Sequence, residues 1–104
     1  MLKSLTEIDF KKNVYKSRYS AVVFVADHCA PSRSFYEIFC SVAKEQKKVD
    51  FFTVNADNEE SLAKEYGVET FPAVLFFERG KIKFFSYGIS SKKTLENLVD
   101  RLIK

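Results

Sequence analysis

The sequence predicts an α/β domain with a mixed central sheet, and three features of its apolar pattern carry that prediction. The continuous apolar run Ala21–Ala26, rich in β-branched residues, has the character of a strand buried on both faces, and Val49–Val54 reads as another buried strand. Segments with helical spacing alternate with them, through Phe35, Ile38, Phe39 and Val42 and through Leu95, Leu98, Val99 and Leu102. Such alternation pairs strands in parallel through helical crossovers. Third, Ala73–Phe77, the turn Glu78-Arg79-Gly80 and Ile82–Phe85 read as a hairpin that adds an antiparallel edge.

Each element has a local reason. A short strand opens the chain. Thr6, with the acidic Asp9 three residues on, fits a helix start with Thr6 as N-cap, and Phe10 and Val14 then share one face. The strand Ala21–Ala26 follows. Pro31 suits the first turn of the next helix, whose inner face is Phe35, Ile38, Phe39 and Val42. After the strand Val49–Val54, Asp57 is placed to cap a short helix carrying Leu62, Ala63 and Tyr66 that ends near Gly67. The hairpin comes next, and Ser90 or Ser91 opens the last helix.

A chain of 104 residues fits one domain, residues 1–104. That length buries enough surface for a modest core without staples. With 11 Phe and no Trp, phenyl rings must fill much of it. The net charge of +3 is spread out, and the runs Lys11-Lys12, Lys47-Lys48 and Lys92-Lys93 are each two residues long. A nucleic-acid footprint is a larger patch on one face, so these read as solvated lysines and no nucleic-acid partner is expected. The start MLKSLTEIDF holds no apolar run long enough for a leader or a membrane span, so a cytoplasmic protein with reduced thiols is expected. Two cysteines are too few for a disulfide scaffold, and one histidine is too few for a local metal site of the usual spacing. No cofactor or metal is expected.

Chemistry concentrates in Asp27-His-Cys-Ala-Pro-Ser-Arg-Ser34. Cys29 follows a buried strand and precedes a helix. Unpaired N–H groups and the helix dipole favour an anion there, and a thiolate is such an anion. His28 and Arg33 add positive charge nearby and Asp27 opposes it. Cys29 is therefore expected to be a partly exposed, activated thiol, the competing reading being an inert packed cysteine. Cys40 lies 11 residues on in the same helix, about 16 Å along its axis. A disulfide needs Cα atoms within roughly 7 Å, so the two cannot pair within one native molecule and Cys40 reads as filler beside Phe39.

Three segments in order and at the right spacing resemble the thioredoxin family over essentially the whole chain. VVFVADHCAPSRSF resembles the family's strand and its W-C-G-P-C segment. YGVETFPAVLFFERGKI resembles its cis-proline loop and hairpin, and SYGISS its glycine-containing loop. The resemblance implies a thioredoxin fold, a mixed sheet flanked by four helices, and thiol–disulfide oxidoreductase activity. It puts Cys29 at the attacking position, Ala30 and Pro31 between the redox positions, and Ser32 where the resolving cysteine belongs. It makes Pro72 the cis-proline facing the thiol, Phe71 the residue whose backbone pairs with extended substrate, and Gly88 part of the same groove.

Four departures from the family pattern matter. Ser32 removes the second thiol, and Val23 replaces a buried aspartate that accepts a proton in the resolving step. His28 replaces a tryptophan, and Glu37 a helix-kinking proline. Exchange begins when a thiolate attacks a disulfide and forms a mixed disulfide. Cys29 suffices for that, but Ser32 cannot release the product. Ser32 is either a substitution introduced to trap substrates or a native monothiol site, and a hydrogen bond from its hydroxyl to the Cys29 sulfur is an expectation. The implied partners are disulfide-containing proteins, with glutathione or a thioredoxin reductase as electron source. The implied state is a monomer, with a Cys29-linked dimer open to it. The alternative is a redox-inactive binding module that keeps the peptide groove. Iron–sulfur ligation across a dimer has little support, because one cysteine per chain falls short of the usual four ligands.

Overall fold

Successive side chains of a strand point to opposite faces of its sheet, so a strand that is apolar throughout must be covered on both. The computed structural model, which describes residues 2–89 and 91–104, meets that demand with five strands and four helices. In chain order these are β1 (Lys3–Ser4), α1 (Phe10–Lys16), β2 (Tyr19–Val25), α2 (Ala30–Glu45), β3 (Asp50–Asn55), α3 (Glu60–Glu65), β4 (Ala73–Glu78), β5 (Lys81–Tyr87) and α4 (Lys92–Ile103).

The strands lie in the order β1-β3-β2-β4-β5. β1 and β2 each pair in parallel with β3, while β4 is antiparallel to both β2 and β5. The hairpin is thus more than an added edge. Its first strand sits inside the sheet, with Ala73–Phe77 buried throughout, and its second, β5, lies on the rim opposite β1. The composition explains this, since an all-apolar β4 needs neighbours on both sides, whereas Lys81 and Lys83 suit an edge.

The sheet splits the core in two. Val22, Phe24, Phe52, Val54, Leu75 and Phe77 point toward α1 and α3, where they meet Phe10, Val14, Leu62 and Ala63. Ala21, Val23, Phe51, Val74 and Phe76 point the other way, toward Phe35, Phe39 and Val42 of α2 and Leu95, Val99 and Leu102 of α4. Rings do the filling, as the Phe count requires. Phe10 and Tyr66 both meet Phe77 edge-on, with centroids 5.9 and 5.7 Å away, and Phe39 meets Phe51 at 5.3 Å.

The element ends follow local chemistry. Thr6 and Asp9 form a reciprocal box: the Thr6 N–H donates to Asp9 Oδ1 at 2.7 Å, and the Asp9 N–H to Thr6 Oγ1 at 3.4 Å. Regular α1 starts after this box, at Phe10, so its N-cap is Asp9 and not Thr6. At the end of α3, Gly67 (φ 66°) donates to the Lys64 carbonyl and Val68 to the Ala63 carbonyl, closing a Schellman motif. The β4–β5 turn is two residues, Arg79 (φ 49°) and Gly80 (φ 84°), the type I′ geometry that matches strand twist. Ser91 caps α4 by accepting from the Thr94 N–H at 3.2 Å, and Ser90 lies outside the described residues. Asp57 does not cap α3: the N-cap is Glu59, whose side chain makes no capping bond, and the Asp57 carboxylate is engaged elsewhere.

Two stability predictions follow from buried polar groups. The Ser20 hydroxyl is fully buried in β2 and has no hydrogen-bond partner among the described residues. Ser20→Ala should raise unfolding stability by about 1 kcal/mol in urea titration, and a loss would contradict the packing described. Burial first, then the charges of Glu65 and Tyr15, holds the Tyr66 phenol above its ordinary value. A raised folded-state value means the stabilisation is present below the unfolded value of about 10 and lost as pH rises through the folded one. Wild type should therefore lose stability above about pH 10, and Tyr66→Phe should lose less over the same range.

Candidate functional site

β2 ends at Val25, and the chain turns through Ala26–Cys29, with the Cys29 N–H donating to the Ala26 carbonyl at 3.0 Å. Cys29 has extended backbone (φ −109°, ψ 106°) and is the N-cap residue of α2. Its carbonyl accepts from the Ser32 N–H at 3.1 Å, and Pro31 lies in the first turn, where a missing N–H costs nothing. The thiol is half-buried and stands at the positive end of a 16-residue helix.

A second segment meets it. The Cys29 Sγ donates to the Phe71 carbonyl at 3.5 Å. The Phe71–Pro72 bond is cis, Pro72 is buried and Phe71 half-buried. Tyr87 lies opposite Ala73, so Gly88 (φ 65°) leaves β5 beside Pro72. Cys29, Phe71, Pro72 and Gly88 therefore come together at one end of the sheet, although 42 residues separate the first two in sequence.

Ser32 sits differently from the sequence-based expectation. Its hydroxyl does not turn to the sulfur but accepts from the Ala26 N–H at 3.4 Å. Ser32 is on the inward face of α2, 2% exposed, which aims it at the end of β2. Val23 is fully buried in the apolar cluster under α2 and α4 and has no atom that could take up a proton. Ala30, Pro31 and Arg33 are exposed, and Arg33 joins no ion pair among the described residues.

His28 also departs from its expected role beside the thiol. Its Nδ1 faces Asp57 Oδ1 at 3.5 Å. The other Asp57 oxygen accepts from the Asp27 N–H at 2.8 Å, and the Asp27 carboxylate accepts from Asn55 Nδ2 at 3.2 and 3.3 Å. Asn55 Oδ1 in turn accepts from the Asp57 N–H at 2.9 Å. Asn55 and Asp57 thus clamp the turn that presents Cys29, and sequence reasoning missed both. The signal was available in the parallel pairing. Val25 lies opposite Asn55 and its carbonyl accepts from the Ala56 N–H at 2.8 Å, so the residues just beyond both strands must adjoin.

Cys40 is half-buried one helical turn beyond Tyr36, and burial together with a hydrogen bond to Cys40 pushes the Tyr36 phenol up. Both cysteines are free thiols. Among the described residues, no group of three or more His, Cys, Asp or Glu side chains is arranged to hold a metal ion, and no helix is long and apolar enough to cross a membrane.

Comparison with known proteins agrees with this geometry. The family model described as thioredoxin matches residues 1–101. Thioredoxin of Rickettsia typhi is 31% identical over 105 residues, covering 99% of this chain and 100% of that protein. Chloroplastic thioredoxin M4 of Arabidopsis thaliana is 28% identical over 102 residues, covering 96% of this chain and 53% of that protein. A chain solved in work on the thiol-resolving mechanism of yeast mitochondrial 1-Cys peroxiredoxin, via glutathione and thioredoxin systems, superposes with a TM-score of 0.89. It covers 97% of this chain and 95% of that chain at 20% identity, a likeness of fold. With a family match spanning nearly every residue and a free thiol at the start of α2, the chain belongs to the thioredoxin family of thiol–disulfide oxidoreductases, which act on disulfide-containing substrates.

Proposed function

We propose that residues 1–104 act as one thioredoxin-like domain that performs the first half of thiol–disulfide exchange through Cys29 and relies on an outside thiol for the second. The observation that carries this reading is the Cys29 thiol at the N-cap of α2, 3.5 Å from the Phe71 carbonyl and beside Pro72. A thiol at a helix start lies where unpaired backbone N–H groups and the helix dipole favour negative charge. The Phe71 carbonyl, already within reach of the sulfur, is available to an extended substrate strand.

The chemistry balances without a cofactor. The Cys29 thiolate attacks one sulfur of a substrate disulfide. A Cys29–substrate disulfide forms, and the substrate's other sulfur leaves as a thiolate and takes up a proton. In a two-thiol site the residue at position 32 would then attack Cys29. Ser32 has no sulfur to form that bond, its hydroxyl already accepts from Ala26, and Val23 provides no base. An external thiolate frees Cys29 by attacking the substrate sulfur of the mixed disulfide: Cys29 leaves as thiolate and the attacker stays joined to the substrate by a new disulfide, which a second external thiol or another substrate thiol then opens. Glutathione in a reducing cytoplasm, or a second thiol on the substrate, would serve. Phe71, Pro72 and Gly88 shape the groove, while Ala30, Pro31, His28 and Arg33 form its rim. Without substrate, the working form is a monomer, and a low-molecular-weight disulfide, taking up the two electrons as its thiols leave, would join two copies through a Cys29–Cys29 disulfide.

The test separates this from a groove that only binds. With a thioredoxin reductase as the only electron source, the chain should fail to reduce a protein disulfide catalytically. Added glutathione should restore turnover, and Cys29→Ser should abolish it. Ser32→Cys should confer reductase-driven turnover, since side chains three apart at a helix start are neighbours. Robust reductase-driven turnover with Ser32 intact would contradict the proposal. No reaction at Cys29 under any of these conditions would favour a redox-inactive binding module.

A further inference from the structure

The two faces of β5 are treated very differently. On the α2/α4 side, Phe84 stacks on Phe76 with centroids 4.6 Å apart, and the Arg101 guanidinium of α4 lies 5.3 Å from the Phe84 centroid. On the other side, Ile82, Phe85 and Tyr87 are 45%, 57% and 40% exposed. Their partners across the ladder are Phe77, Leu75 and Ala73, all members of the cluster under α1 and α3. Cross-strand partners share a face, so these three side chains continue the apolar surface of that core beyond the helices that cover it. Phe85 and Tyr87 meet edge-on at 5.4 Å, which holds both rings in place before anything binds.

We propose that this bare face of β5 is a docking shelf for apolar segments that flank the disulfide of a substrate protein. The proposal rests on the exchange reading of Cys29, and continuity with that site selects the occupant. Tyr87 lies opposite Ala73, the residue after Pro72, and the Phe71 carbonyl is the one that Cys29 reaches. The shelf therefore begins at the groove where exchange occurs and runs outward along β5. From Tyr87 to Ile82 the strand covers about 17 Å, the reach of about five extended residues. A substrate chain passing over Cys29 would lay its flanking residues on it.

The chemistry of that occupant follows from where disulfides sit. Cysteine is among the most buried residue types, so the neighbours of a protein disulfide are largely core residues. A disulfide buried in a folded core is out of reach of Cys29, so a protein that offers such a disulfide is at least locally unfolded and presents those apolar neighbours. Rigid exposed rings accept varied apolar side chains at small entropic cost. The substrate class is thus unfolded or partly folded disulfide proteins, in preference to small polar disulfides.

Rates of mixed-disulfide formation at Cys29 test this. Three probes are used: oxidised glutathione, a peptide cysteine activated as a mixed disulfide with Leu, Val and Phe flanks, and the same peptide with Ser and Asn flanks. Wild type should react about tenfold faster with the apolar peptide than with the polar one, the scale of burying one large side chain in part. The double variant Ile82→Thr, Phe85→Thr keeps strand-forming residues and should lose that preference while reacting with oxidised glutathione at the wild-type rate. Equal rates for the two peptides in wild type, or a preference that survives in the double variant, would overturn the shelf. Sedimentation of wild type as a dimer that the double variant abolishes would assign the face to a second copy and overturn it as well. Failure to react even with oxidised glutathione would overturn the exchange reading and the shelf with it, whereas a flank-blind reaction overturns the shelf alone.

Discussion

The antiparallel pairing of β2 with β4 is the constraint from which the rest of the site follows. Phe24 stands opposite Ala73 at the end of that ladder. Five residues beyond Phe24 the chain reaches Cys29, and two residues before Ala73 lies Phe71. The register therefore decides that the thiol and the Phe71 carbonyl meet. It is well specified, because both strands are buried on both faces and a slip of one residue would exchange every side chain between two cores of different shape. β3, on the other flank of β2, has a second effect. Its parallel register delivers Asn55 and Asp57 to the turn that carries Cys29, fixing that turn from the opposite side.

Against this frame the substitutions at the site form a consistent set. On the proposed reading, attack by Cys29 needs the helix start and the Phe71–Pro72 loop, which the fold brings together. Self-release needs a second sulfur at position 32 and a proton acceptor beneath it. Those are the places filled by a buried serine hydroxyl bonded to Ala26 and by a fully buried valine. A carboxylate at position 23 would carry a desolvation penalty in this apolar cluster, and valine removes it. On the proposed reading, Ser32 and Val23 occupy two positions that would serve successive parts of the same step, and neither can serve it.

The order of elements was legible from end to end, because the central strands are continuous apolar runs and α2 and α4 carry a clear helical stripe. The location of Cys29 between β2 and α2 followed from the same pattern. Less legible was anything set by partners distant in sequence. A hairpin is a local signal, so Ala73–Phe77 and Ile82–Phe85 were readable as a pair, but the insertion of β4 beside β2 was not. Asp57 precedes a helix, and an aspartate there reads as a cap until the parallel register brings Asp27 and His28 to its carboxylate. The direction of the Ser32 hydroxyl depends on how α2 seats on β2, and spacing from Cys29 alone favours the sulfur. Phe71, Pro72 and Gly88 were singled out by family resemblance alone, since no periodicity marks them, and the fold brings Phe71 and Pro72 to the Cys29 thiol.

The central claim is that attack is retained and release is lost, and the lifetime of the covalent complex tests it most directly. The reduced chain would be mixed with an unfolded protein whose single cysteine is held as a mixed disulfide with thionitrobenzoate, a poor nucleophile once released, and followed by intact mass spectrometry without added thiol. A one-to-one adduct through Cys29 should accumulate and persist, then disappear when glutathione is added, and Cys29→Ser should form none. An adduct that decays by itself to free reduced substrate, or the absence of any adduct at Cys29, would contradict the account.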